Sequence, residues 1–348
     1  MKPVNLLQSW GKVLSGRIPM LSIEITRECP LHCPGCYAYG DSHLGEGGIN
    51  LRSVSDYRGD ALVGGILRLV EEHQPLQLSL VGGEPLMRHR ELSRVLPELD
   101  RRGIYTLIVT SGVIPVPHEW RRLPMITVAV SVDGNPEDHN VRRAPATYDR
   151  ILRNIEGQKV KIHWTVVRKN IEQPGYMDRY LDFWSARHEV DRIWVSVYTP
   201  QINEESAERL TPQNRTQLAE YFNRVAGRYP KLTMHKGLMD AFLEPPTSPA
   251  SCMFAKLSVN YTADLRTRVE PCVFGGAPDC AECGCSMSMG MHWLGEYKLV
   301  GPLQAKHLIR GSLAVGRFAN RLLDRGEGLR WSAPAAVNRA NDLVQIER

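Results

Sequence analysis

No stretch of the 348 residues approaches the ~18 consecutive apolar residues of a membrane-spanning helix, and none has the form of a secretory signal. Cysteine is scarce, eight in the chain, which speaks against a small secreted scaffold held by disulfides. The expected compartment is therefore a reducing cytoplasm. Strong charge of one sign is also missing: the net charge is +5, and the arginines are scattered, not gathered into a nucleic-acid-binding block, so no nucleic acid is expected as partner. There is no low-complexity tract and no internal repeat beyond an alternation of strand-like and helix-like segments. With 43% hydrophobic and 23% charged residues the composition is that of a folded globular chain.

Six apolar, β-branched runs recur: Leu21–Thr26, Gln77–Val81, Tyr105–Thr110, Ile126–Val132, Lys161–Val167 and Arg192–Tyr198. Helical stretches are expected at Ser53–His73, Arg88–Arg101, His118–Arg122, Thr147–Gln158, Gly175–His188 and Pro212–Arg228. The alternation predicts an α/β fold, a parallel sheet covered by helices, with chemistry at the carboxyl ends of the strands. Periodicity alone leaves a doubly wound sheet and a barrel equally open. Beyond residue 230 the pattern changes, and Pro245-Pro246-Thr247-Ser248-Pro249 reads as a linker. Pro302–Asp324 has the spacing of an amphipathic helix, whose plainest use is to pack on the main domain with its basic face in solvent.

Three of the cysteines lie in Cys29-Pro30-Leu31-His32-Cys33-Pro34-Gly35-Cys36, directly after the first strand. This CxxxCxxC spacing puts three thiolates on one short loop, enough for three corners of a cubane iron–sulfur cluster with the fourth iron left free. Structural zinc sites want four N/S ligands and favour paired CxxC knuckles; only His32 is near enough to be a fourth. The loop, with Tyr37 behind its last cysteine, resembles that of the radical S-adenosylmethionine (SAM) superfamily. That resemblance implies a partial (βα)6 barrel, a SAM-binding [4Fe–4S] cluster at Cys29, Cys33 and Cys36, and SAM as cofactor.

Further strand ends carry the same resemblance. Val81-Gly82-Gly83-Glu84-Pro85-Leu86 matches the family's Gly-Gly-Glu motif, which implies that Gly82, Gly83 and Glu84 face the amino group of SAM. By themselves these residues also read as helix punctuation, with Pro85 at a first helical position. Strand three ends in Thr110-Ser111-Gly112, where Ser111 can hydrogen-bond a ligand. Strand four ends in Ser131-Val132-Asp133-Gly134, followed by His139 and Arg142, like the corresponding segment of SPASM/Twitch-type radical SAM proteins. Ser131 and Asp133 are then candidates for ribose or substrate contact, although Asp-Gly-Asn-Pro makes a turn without any function. Arg168, after strand five, is a candidate for the SAM carboxylate, and a solvated basic turn reads equally well. Catalytic candidates are Tyr198, His139 and Arg142.

The other five cysteines are Cys252, Cys272, Cys280, Cys283 and Cys285. Leu257–Tyr261 and Thr267–Val269 read as a β-hairpin that brings Cys252 and Cys272 together, with Cys280, Cys283 and Cys285 completing the set. This resembles a SPASM/Twitch auxiliary module, and implies a second [4Fe–4S] cluster on at most four of the five. The usual glycine at the hairpin tip is absent, as are later cysteines for a further cluster; structural zinc is the rival occupant. Met287, Met289 and Met291 read as core filler.

The expected domains are an N-terminal amphipathic segment at 1–17, a barrel at 18–240, an auxiliary-cluster module at 250–295 and a helical tail at 300–348. The resemblance implies reductive cleavage of SAM to a 5′-deoxyadenosyl radical that takes hydrogen from an unactivated C–H bond. It also implies a reducing partner such as flavodoxin or ferredoxin. The substrate the sequence favours is a hydrophobic small molecule or lipid, since Leu6-Leu7-Gln8-Ser9-Trp10 and the basic C-terminal helix suit peripheral membrane contact. The alternatives are peptide maturation and, in another class, a non-catalytic zinc protein that binds a partner.

Overall fold

The computed structural model describes residues 11–45, 47–234 and 236–327. The Leu6–Trp10 segment and the end of the tail lie outside them. Seven parallel strands form one sheet in the order β6-β5-β4-β3-β2-β1-β7. They are β1 (Met20–Glu24), β2 (Gln77–Val81), β3 (Tyr105–Thr110), β4 (Ile126–Ser131), β5 (Val160–Val166), β6 (Val190–Val197) and β7 (Ser258–Tyr261). Sequential neighbours joined by crossovers put the helices on one face and leave the other face as a barrel interior. The sheet is open, with β6 and β7 at its two edges.

Six strands fall where the sequence predicts them. The seventh corrects an expectation: residues 258–261 pair in parallel with β1, Met20 opposite Ser258 and Ile23 opposite Tyr261. Only a remnant of the expected hairpin is present, in the bridge between Tyr261 and Arg268. A four-residue apolar run beside a turn reads as either half of a hairpin or a barrel strand, and here the unpaired edge of β1 decides. Residues 258–261 of the 250–295 segment therefore belong to the barrel sheet.

The strands alternate. Leu21 and Ile23, Leu78 and Leu80, and Ile162, Trp164 and Val166 point to the helices and belong to the main core. There they meet α1 (Gly59–His73), whose Leu62, Ile66, Leu69 and Val70 recur at helical spacing, and α2 (His89–Arg101). Between β4 and β5 lie the short helices α3 (Pro136–Arg142) and α4 (Tyr148–Asn154). After β5 come α5 (Arg168–Glu172) and α6 (Tyr176–Ala186). The Trp164 indole stacks on Tyr180 of α6 at 4.0 Å between ring centroids, a contact of about 0.5–1.5 kcal/mol beyond area burial.

Beyond β6 the chain forms α7 (Pro212–Val225), α8 (Lys236–Leu243), α9 (Met253–Leu257) and α10 (Ser286–Glu296). A small hairpin of β8 (Lys298–Val300) and β9 (Leu303–Gln304) leads into α11 (Ala305–Glu327), close to the amphipathic helix expected. Most expected helices start or end a few residues inside their sequence limits, and His118–Arg122 is a single 3-10 turn. Among the described residues no helix is long and apolar enough to cross a membrane.

The gap beside β6 is closed by the last cysteines. Val197 N–H donates to Gly284 O at 2.8 Å, and Gly284 N–H to Thr199 Oγ1 at 2.8 Å. That docking brings the C-terminal cysteine segment to the barrel mouth.

Candidate active site

The inward face of the sheet, at its carboxyl end, encloses a cavity of about 310 Å³. Cys29, Cys33 and Cys36 line it, together with Tyr37, Gly82, Gly83, Glu84, Ser111, Ser131 and Asp133. Arg142 and Tyr198 line it as well, so the structure gathers nearly all of the sequence-based candidates around one space.

Burial raises the thiol pKa of all three loop cysteines, that of Cys29 to about 11. A free thiol there stays protonated; a cationic iron would reverse that preference and take the thiolates as ligands. Among the described residues no three His, Cys, Asp or Glu side chains converge on a single-ion site. Three thiols of one loop, opening on a cavity, make a donor set that suits a cluster held at three corners.

The two glycines serve the chain as much as any ligand. Gly83 has φ +56° and a Cβ there would lie 2.3 Å from Glu28 O; Gly82 has φ +81° and its Cβ would meet that of Glu24 at 2.2 Å. They let the end of β2 close on the segment leading into the cysteine loop, where Glu84 N–H donates to Glu28 O at 2.7 Å. Glu84 is buried, and its Oε1 accepts from Leu86 N–H at 2.9 Å and Thr110 Oγ1 at 2.6 Å. Its Oε2 accepts from the Ser111 N–H and hydroxyl. Those four bonds fill a carboxylate's acceptor capacity. Glu84 thus ties three strand ends together, and helix punctuation and site organisation are one role.

Asp133, 3% exposed, accepts from Arg143 Nε at 2.7 Å and Arg142 Nε at 3.3 Å, and from Thr165 N–H at 3.2 Å. Burial alone would raise its pKa, but Arg143 and Arg142 outweigh it and hold the carboxyl well below its usual range. Arg142 also pairs with Glu208. Arg143 lines the cavity close to Cys33 and was not singled out from the sequence.

Three candidates are corrected by their surroundings. His139 is fully buried: its Nδ1 accepts from Asp133 N–H at 3.0 Å, which leaves Nε2–H to donate to Ala146 O at 2.8 Å. It holds the β4 turn and does not line the cavity. Arg168 donates from Nε to Arg209 O at 2.8 Å and lies away from the cavity lining, because α5 begins at it and turns it toward the 208–209 loop. Tyr198 lines the cavity, but its hydroxyl is tied to Glu204 and its ring covers Gly35, so it braces the cysteine loop.

All five C-terminal cysteines line a second, smaller pocket. Cys252 Sγ lies 3.2 Å from Ser288 Oγ, and burial pushes the thiols of Cys272 and Cys283 up to about 12 and about 11. Cys285 lines both spaces, as do Thr199, Phe254 and Phe274, so these four residues form the wall between them. Of the three methionines, Met289 is fully buried as expected, whereas Met287 lines the larger cavity. Tyr37 and Phe274 meet edge-to-face across the same boundary at 5.2 Å. Below them His43 Nε2 contacts Glu24 Oε1 at 2.9 Å and His43 Nδ1 contacts Phe274 O at 3.0 Å, joining β1, the cysteine loop and the C-terminal segment.

Residues 23–169 match the sequence model of the Radical SAM superfamily. A stretch of 94 residues is 34% identical to the PqqA peptide cyclase of Granulibacter bethesdensis, covering 27% of this chain and 22% of that protein. Another of 170 residues is 27% identical to the Fe-coproporphyrin III synthase of Methanosarcina barkeri, covering 46% and 40%. The matches thus span less than half the length of either relative. The fold is similar to that of SuiB from Streptococcus suis in its complex with the precursor peptide SuiA. The TM-score is 0.56 at 16% identity, with 74% of this chain and 60% of that one covered. SuiB bound to S-adenosylmethionine gives a TM-score of 0.51 at 16% identity, covering 71% and 57%.

Proposed function

We propose that this chain, a radical SAM superfamily enzyme over residues 23–169, uses its [4Fe–4S] cluster and SAM to take a hydrogen atom from a C–H bond of a peptide substrate. One observation carries the reading: the three thiols of the Cys29–Cys36 loop open onto the same cavity as the Gly82-Gly83-Glu84 and Ser131–Asp133 strand ends. When bound, the cluster supplies the electron that splits the sulfonium of SAM into methionine and a 5′-deoxyadenosyl radical.

The chain's own residues do the positioning. Carbonyls and hydroxyls at Gly82, Gly83 and Ser111 would receive the cationic amino group of SAM. Arg143 is better placed than Arg168 for its carboxylate, since Arg143 lines the cavity beside the cysteines. Ser131 and Asp133 offer hydrogen-bond partners to the ribose. Tyr37 and Phe274 cover the loop and keep water from it. A small redox protein such as flavodoxin or ferredoxin would deliver the electron.

Four of the five C-terminal cysteines would hold a second [4Fe–4S] cluster. The peptide reading rests on what the relatives are, a peptide cyclase and a fold neighbour bound to a precursor peptide. The hydroxyl groups on the inner strand face suit a peptide better than a lipid.

The test is direct. Protein reconstituted anaerobically with iron and sulfide, then given dithionite and SAM, should release 5′-deoxyadenosine and methionine in equal amounts. The Cys29→Ala variant should release none above background. Undiminished cleavage by that variant, or a zinc-replete protein indifferent to SAM, would overturn the assignment.

A further inference from the structure

The cavity has two zones. Every charged side chain in its lining (Glu84, Asp133, Arg142 and Arg143) stands at the upper, cysteine end, and each is already engaged within the protein. Deeper in the barrel the lining carries no charge: Ser22, Ser79, His163, Trp194, Ser196 and Ser258 face inward from β1, β2, β5, β6 and β7. Lys161, the nearest cation on the inner face of β5, donates to Tyr105 OH at 2.8 Å and stays outside the lining.

His163 is the organised group of this floor. Its Nε2 lies 2.9 Å from Ser196 Oγ, which lies 3.0 Å from Ser286 Oγ at the start of α10. The Ser286 N–H also points to Ser196 Oγ at 3.4 Å, so three elements fix one edge of the imidazole. The Trp194 ring packs against it at 5.1 Å between centroids. The other ring nitrogen, Nδ1, has no hydrogen-bond partner among the described residues, although the ring lines the cavity. Burial lowers the pKa of His163 to about 4, so it is neutral near pH 7. A second group agrees: Ser258, 6% exposed and also in the lining, has a buried hydroxyl oxygen without a partner. A buried polar group without a partner is costly, and Ser258 Oγ, on the same wall as an imidazole edge that opens on the cavity, points to a ligand that satisfies both.

We propose that His163 is the substrate-binding residue of this cavity, taking an uncharged hydrogen-bonding group of the substrate on its Nδ1 edge, with Ser258 as second contact and Ser196 and Ser286 as positioning residues. This deepens the peptide reading and rests on it: the side chain that enters the barrel is neutral and polar, an amide or a hydroxyl, not a carboxylate, an ammonium or a bare hydrocarbon. A neutral imidazole can donate or accept at that edge, whereas a charged group would lose its hydration there with no opposite charge to meet it.

The experiment uses reconstituted, unreduced full-length protein saturated with SAM. Three probes, N-acetyl-glutaminamide, N-acetyl-glutamate amide and N-acetyl-lysinamide, are titrated by saturation-transfer NMR. The neutral probe should bind at least about tenfold more tightly than either charged one, a tenfold ratio being about 1.4 kcal/mol. His163→Phe should weaken it about tenfold, and His163→Gln, which keeps a donor and an acceptor, should recover most of the loss. Iron content after reconstitution and the thermal midpoint should be the same in all three proteins, which shows that the variants fold. Charged probes binding as well as the neutral one, no binding by any of the three, or a His163→Phe protein that binds like wild type would overturn the proposal. Failure of the radical SAM reading shows separately, as absence of 5′-deoxyadenosine from the wild-type protein.

Discussion

Asp133 shows how a single side chain in this site depends on its partners. Removing its charge by Asp133→Asn leaves Arg142 and Arg143 in a largely buried setting with one counter-charge fewer. Breaking such a pair typically costs about 3–5 kcal/mol, so a clear fall in the thermal midpoint is expected. Because the folded-state pKa lies below the ~3.9 of unfolded aspartate, its stabilisation is complete above that value and is lost as pH falls through the depressed one. His139 acts in a different window. Burial, then Arg143, sets its pKa at about 4 against an unfolded value near ~6.5. Its contribution is therefore full above about 6.5 and declines as pH falls toward 4. Denaturant melts across that interval should show a shallower slope for His139→Gln than for wild type. Gly83→Ala forces a Cβ onto Glu28 O at positive φ, which costs more than the ~1 kcal/mol of ordinary left-handed strain. Lower soluble yield and a lower midpoint should follow. The cysteine loop and Gly-Gly-Glu run were legible in the sequence because each is a local pattern. His163 was not, since its meaning comes from Ser196 and Ser286, 33 and 90 residues from their partners.

At the scale of elements, strands β1 to β6 were readable from apolar runs bounded by turns, but their inner face was not read. The alternation is there in Gln77-Leu78-Ser79-Leu80-Val81 and Lys161-Ile162-His163-Trp164-Thr165, where every second residue faces the barrel. Strand β7 reads in sequence as half of a hairpin, because pairing with β1 joins residues more than 230 positions apart and leaves no local mark. The Glu24–His43–Phe274 link is of the same long-range kind. Burial opposes charge on His43, yet its hydrogen bond to Glu24 wins and raises its pKa. His43→Phe should leave the buried Glu24 carboxylate unpaired and free Phe274 O. Hydrogen exchange should then quicken at residues 272–285 while the β3–β4 core keeps its protection; unchanged exchange there would show that the link carries no load.

At the scale of the whole molecule, two cysteine sets lie on either side of one wall formed by Thr199, Phe254, Phe274 and Cys285, with the uncharged barrel floor beneath. Their contiguity comes from the docking of residues 283–286 beside β6, which sequence order gave no means to foresee. The arrangement predicts ~eight irons per chain after reconstitution, falling to about half that in a Cys252→Ala/Cys272→Ala double variant that still cleaves SAM. The central claim is that Cys29, Cys33 and Cys36 hold a cluster with one iron free for SAM. Electron paramagnetic resonance of that double variant, reduced by one electron, tests it most directly. Adding SAM should shift the g-values of the remaining cluster signal. A spectrum unchanged by saturating SAM, or no cluster signal at all, would contradict it.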